Sequence, residues 1–162
     1  IAGLTTNQLK ALSTTVFGEL QDTQLATLSG AQLGALSTTN FANIDTTTIQ
    51  GYGTTQLSGI TTAELSALDS TGFNEFSDTQ IGELTKVQIG ALSTTVIGNL
   101  TPTQIGDLQG TQIAGLSSSQ IQQISATSIQ NMTATQIAGF TASQVASMTN
   151  TQAAAYLAAV DV

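Results

Sequence analysis

The sequence has no cysteine and no histidine, one proline and two cationic side chains. Without cysteine there is neither a disulfide framework nor thiol chemistry. Without histidine the commonest general base, the Ser-His-Asp arrangement and imidazole metal sites all disappear together. The abundant Ser and Thr hydroxyls are therefore left without an activating base. Lys10 and Lys86 are the two cations, and the net charge is −8. Nucleic-acid binding, which neutralises phosphates with Lys and Arg, is excluded on that balance. Attraction to anionic membrane surfaces fails for the same reason. No apolar run approaches the roughly 18 residues of a spanning helix, so no membrane insertion is expected. No secretory signal, Walker loop or dinucleotide fingerprint is present. Charged residues make up 7 % of the chain, against about 25 % in ordinary soluble proteins. The surface must then be built from Thr, Ser, Gln, Asn and Gly, which hydrogen-bond but carry no charge.

What is present is an eight-residue repeat that never slips register. Taking Thr5 to Leu12 as the unit, nineteen units run end to end from Thr5 to Tyr156. Slots five and eight are apolar throughout, from Leu9 and Leu12 to Ala153 and Tyr156. Slot one is Ser, Thr or Asp in sixteen units, and slot four is Gln in twelve, with Glu64 in that place once. The chain opens on Ile1 in mid-repeat, the pattern expected of an excised fragment or a processed product. A uniform repeat implies a single repeat domain over residues 1–162, with units at 5–156.

Apolar spacings of three and five do not fit the two-residue alternation of a strand. One continuous helix would carry its apolar stripe about 80° further round with each unit, and would place Ser, Thr and Asp at poor interior positions. Those residues instead read as helix starts. Ser or Thr followed three positions later by Gln forms a capping box, as in Thr5 with Gln8, Thr85 with Gln88 and Ser117 with Gln120. Leu4 with Leu9 and Leu100 with Ile105 stand where a hydrophobic staple would close. Pro102 falls directly after a cap, at the first helical position, where proline is best tolerated. The predicted fold is all-α: a solenoid or right-handed superhelix of very short capped helices, each spanning slots two to seven. Helices this short do not survive alone and must be held by packing. Gly or Ala recurs at slot six, including Gly82, Gly90, Gly98 and Gly106. Close backbone approach between coils and a chain reversal with positive φ both account for it. Caps are missing at Gln21, Gly53 and Gln109, and slot-four Gln or Glu is missing at Val16, Asn40, Thr48, Gly72, Val96 and Ser128, so fraying is expected there. The Ala-rich end, Thr151 to Val160, predicts one longer helix closing the core, with 157–162 as its C-terminal end.

Segments such as Ala91 to Gly98, Leu100 to Ile105 and Leu116 to Ile121 resemble the L-S/T-T-T-Q-I-x-x-L octapeptide arrays of large bacterial proteins. The resemblance covers essentially the whole chain. It implies a right-handed α-superhelix and a place in a secreted or surface protein of bacteria. It carries over no catalytic residues.

The acids are few and uneven. Glu64, Asp69, Glu75, Asp78 and Glu83 are half of all ten, and Glu75 and Glu83 share slot seven of adjacent units. With Asn74 they are the one candidate for calcium, which takes six to eight oxygen ligands. The competing reading is a solvated acidic stripe, with Asp69 simply a cap. All seven aromatics fall in slots five or eight, which reads as core and leaves no platform for sugars or bases. Paired Thr at slots two and three, as in Thr14 and Thr15, Thr38 and Thr39, or Thr94 and Thr95, give an exposed hydroxyl row of the kind that orders water on ice. Early helix positions also tolerate Thr simply as uncharged surface.

The expected function is non-catalytic. The chain reads as a stalk, spacer or adhesive surface of a larger bacterial extracellular or cell-surface protein, with no cofactor and no resident metal. Its contacts with cell-surface or matrix components would be weak but many times repeated. The alternative is a solenoid that binds ice, glycan or calcium.

Overall fold

A computed structural model describes Ile1 and residues 3–160. Among the described residues all regular structure is helical. The chain divides into two compact units, Ile1–Leu84 and Thr85–Val162. The first carries α1 (Thr6–Lys10), α2 (Thr14–Gly18), α3 (Asp22–Leu25), α4 (Gly30–Leu33), α5 (Thr38–Phe41), α6 (Thr46–Gln50), α7 (Thr54–Leu57), α8 (Thr62–Ala67), α9 (Ser70–Phe73) and α10 (Asp78–Glu83). The second carries α11 (Lys86–Gly90), α12 (Thr94–Gly98), α13 (Pro102–Asp107), α14 (Gly110–Ile113), α15 (Ser118–Ile121), α16 (Ala126–Gln130), α17 (Ala134–Ile137), α18 (Ala142–Ala146) and α19 (Asn150–Val160). Every one of these helices starts at slot two of its repeat, α19 included, after Thr149.

The starts are built as the capping argument requires. In Thr85 with Gln88, the slot-four N–H donates to the Thr hydroxyl at 3.3 Å and the Thr N–H donates to the Gln carbonyl oxygen at 2.9 Å. Where one half of the box is missing the other remains. At Gln21, Gly53 and Gln109 no slot-one side chain caps the helix. Their backbone N–H groups still donate to Gln24, Gln56 and Gln112 at 2.9, 3.2 and 2.6 Å. The slot-four N–H there turns to the slot-one carbonyl instead, at 2.8 to 2.9 Å. Where the slot-four Gln is missing, the slot-one oxygen keeps its bond, as from Val96 to Ser93 at 3.2 Å and from Gly72 to Asp69 at 2.9 Å. The expected fraying at these nine positions is therefore replaced by half-boxes, and helices form at all of them.

The ends are set by the same economy. Most helices stop after four or five residues, short of slot seven, because the chain turns to extended backbone at slots eight and one. No residue described takes a positive φ, glycine included. The reversal reading of the glycines is thereby overturned.

Within each unit, a helix packs on the one three repeats further along: α1 on α4, α2 on α5, α3 on α6, α4 on α7, α5 on α8 and α7 on α10 in the first. The second unit repeats the register with α11 on α14, α12 on α15, α13 on α16, α14 on α17 and α15 on α18. Slots five and eight from Leu25 to Ile137 are all buried. Phe73 and Phe76 meet with ring centroids 5.6 Å apart inside this seam. The core slots nearest the two ends, such as Leu12, Leu20, Met148 and Tyr156, are half-buried, because only one neighbouring coil covers them.

The long terminal helix α19 has 11 residues and lies across α16 and α17. It ends the second unit with two fully engaged contacts, Gln152 donating to the carbonyls of Ile121 and Ile124 at 2.8 and 2.7 Å. Positions 161 and 162 of the expected closing helix lie outside the described residues.

A capping hydroxyl is worth about 1 kcal/mol. Ser93→Ala and Thr101→Ala are therefore expected to lower the unfolding free energy by about 1 kcal/mol each in urea titrations. Exposed Thr94→Ala, at slot two, should change it by less than about 0.5 kcal/mol.

Candidate functional site

Four slots of the repeat have defined physical duties, which shows what is left over for function. Slots five and eight make the core. Slot one begins the helix. Slot four does two things, and the second was not legible in the sequence. Its carbonyl oxygen completes the capping box, while its amide nitrogen reaches the coil before. Gln32 donates to the Leu4 carbonyl at 2.9 Å, Gln56 to Leu28 at 2.7 Å and Gln80 to Tyr52 at 2.9 Å. In the second unit Gln120 donates to Leu92 at 2.7 Å, Gln136 to Leu108 at 2.8 Å and Gln144 to Leu116 at 2.7 Å. Each of these acceptors lies 28 residues back, at slot eight, and several of the amides also reach a carbonyl 30 or 31 residues back, as Gln80 does at Ile49 and Gln120 at Gly90. Asn40 makes the same bond to Leu12 at 3.0 Å. All but the half-buried Gln56 are buried, so these bonds replace water at the backbone carbonyls between coils. Tyr52 adds a phenol bond to Leu25, at 3.2 Å, and burial keeps that phenol protonated by pushing its pKa up.

The glycines serve the same approach. A Cβ on Gly90 would stand 2.6 Å from the Gly115 carbonyl, and one on Gly110 would stand 2.6 Å from that of Thr135. Gly59 faces Gly30 backbone to backbone, and Gly139 faces Gly110 in the same way. The close pairs thus set a slot-seven Gly against slots two and six of the repeat three earlier. Slot six alone does not mark them, since nothing lies within 4 Å of a Cβ on Gly106.

Outside the coil contacts, slots two and three supply most of the exposed face, although Gly30 and Gly110 at slot two are pressed against the next coil and the Thr54 hydroxyl is bonded to Glu83. Thr14, Thr15, Thr38, Thr39, Thr46, Thr47, Thr54, Thr55, Thr94 and Thr95 are all exposed. The larger open grooves lie between coils and are lined by similar residues. One of about 600 Å³ in the second unit has Gly110, Thr111, Ala114, Thr135 and Gly139 among its walls. Gln136 also lines it, but its amide is already spent on the carbonyls of Ile105, Gly106 and Leu108.

The calcium candidates are not gathered into a site. Glu64 is 1 % exposed and serves as a slot-four cap, its Oε2 accepting from the Thr61 N–H at 2.7 Å and the Thr61 hydroxyl at 2.8 Å. Asp69 caps α9 through the Gly72 N–H. Glu83 accepts from the Thr54 hydroxyl at 2.8 Å. Asn74 and Asp78 are exposed and Glu75 is half-buried, its backbone carbonyl accepting from Gln50. Among the described residues no three acidic side chains come together where they could hold a metal ion. The physical reason is that each acid at a capping slot is turned inward or along its own helix start. The acids that do meet were not singled out by the sequence. Asp22 and Asp45, on packed α3 and the start of α6, lie close enough for Asp45 to push the Asp22 carboxyl up, first by accepting from its protonated form and then by like-charge repulsion. The Thr48 backbone N–H holds Asp45 below the usual carboxylate range. Both are fully exposed, and slots two and one of repeats three apart are the signal that would have paired them.

No described helix is long and apolar enough to cross a membrane. Comparison with family models, with curated proteins and with solved structures gives no match.

Proposed function

We propose that this chain is a non-catalytic structural repeat module, a spacer, stalk or adhesive surface within a larger bacterial extracellular protein of the octapeptide-repeat kind. The observation that carries this reading is the complete employment of the repeat. Slots one, four, five and eight are consumed in holding coils together, and most residues left outside at slots two and three are small and uncharged, Thr and Ser above all, with Asp22, Asp78, Lys86 and Val87 as interruptions. A surface of identical weak hydrogen-bonding elements gains strength through number, because linked contacts raise effective concentration.

Beads carrying the chain at increasing surface density test it. Adhesion to immobilised cell-wall or matrix polysaccharide should rise more steeply than density, with no saturable binding by the free chain. A saturable complex with one glycan would overturn the reading in favour of a ligand-binding solenoid. The exposed Thr rows favour ice as the second reading, which thermal hysteresis in the free chain would establish.

A further inference from the structure

One slot-four side chain cannot do what its counterparts do. Gln at this slot donates an amide N–H to the slot-eight carbonyl 28 residues earlier. At Glu64 that carbonyl belongs to Leu36, and both residues line one groove of the first unit. Glu64 is 1 % exposed; its Oε2 is engaged by Thr61, and its Oε1 is buried without a partner. An ionised carboxylate has no proton to offer a carbonyl. Two buried acceptors would then face each other, an arrangement that costs the full desolvation of both.

We propose that Glu64 is held as a neutral carboxylic acid whose Oε1–H donates to the Leu36 carbonyl, making the α5–α8 packing a pH-sensitive joint between coils. The acid then mimics the amide of glutamine, hydroxyl for N–H, and gives the buried Oε1 the partner it lacks. Burial acts in the same direction, raising the carboxyl above its ordinary value against the lowering effect of the two Thr61 bonds. Helix α5, which packs on α8, is Thr38, Thr39, Asn40 and Phe41 and holds no titratable group. The remaining charge facing the groove is Lys10, on α1. The sign follows from the raised carboxyl. The neutral form belongs to the folded state, so its contribution is full below the unfolded carboxylate value. It is lost as pH climbs through the higher folded value. The joint is tight in acid and slackens toward neutrality.

Thermal melts of the full chain and of Glu64→Gln between roughly pH 4 and pH 8 test this. The variant restores the N–H donor at every pH. The two melting temperatures should nearly coincide at the acid end and part by several degrees at the alkaline end, the variant being higher. A constant gap across the range, or a wild type that is more stable at the alkaline end, would overturn the proposal. The carboxyl carbon resonance of Glu64 gives a second reading that does not depend on folding yield. It should titrate above the exposed acids, and a midpoint within or below their range would refute the neutral acid.

Discussion

Gly139→Ala is expected to remove several kcal/mol of stability from the second unit. The added methyl would be driven into the Gly110 backbone, and backbone cannot rotate aside as a side chain can. Overpacking a core with a mobile side chain costs about 1–3 kcal/mol, and a backbone-to-backbone clash belongs at or above the top of that range. Domains hold only about 5–15 kcal/mol in total. The substitution should therefore shift the urea midpoint sharply and expose the α14–α17 contact to hydrogen exchange. Gly106→Ala is the control. It sits inside α13 with nothing within 4 Å of the new methyl. Ala is a better helix residue than Gly by about 1 kcal/mol, so this variant should be more stable than the parent. If both substitutions moved the midpoint the same way, close coil approach would not be the reason for the glycines.

The second large effect is expected at Gln136. Its Nε2 hydrogens are shared among the carbonyls of Ile105, Gly106 and Leu108 at 3.0, 3.0 and 2.8 Å, and its Oε1 takes the Thr133 N–H at 2.9 Å. Gln136→Leu keeps nearly the same volume but leaves buried polar atoms unpaired on both sides. Each such orphan costs about 1–3 kcal/mol, though Ile105 keeps a bond from the Leu108 N–H. The expected loss is about 2–5 kcal/mol, the main orphans being the Leu108 carbonyl and the Thr133 N–H. Gln50→Leu provides the comparison. Gln50 is exposed, with one 3.3 Å bond to the Glu75 carbonyl, and should cost less than about 0.5 kcal/mol. Chemical denaturation of the two variants would measure what slot four contributes through cap and coil bonds together. Equal small losses would overturn that contribution.

Slots five and eight show how far the pattern could be read. Leu33, Phe41, Ile81 and Ile121 are fully buried where the three-and-five spacing placed them. The helix starts also fell at their slots, because a cap is a contract among four consecutive residues and needs no distant partner. Asp69 was legible as a cap for the same reason. Glu64 was not legible as a buried acid, since its side chain is enclosed by residues near position 36 and its own helix start hides nothing. The glycines divide likewise. Gly90 and Gly106 occupy the same slot, yet only Gly90 has a carbonyl pressed against it. The deciding residue is Gly115, 25 positions along.

The sequence by itself determined where each helix begins, which two slots are greasy and what the outside is made of, because those properties act within one repeat. The tertiary structure alone decided that coils meet three helices apart, that slot four bonds across the gap, and which glycines lie in it. The cause is cumulative. The number of repeats per coil follows from the rotation contributed by every helix and every extended joint, and small angles summed over some 28 residues leave no mark on any one of them.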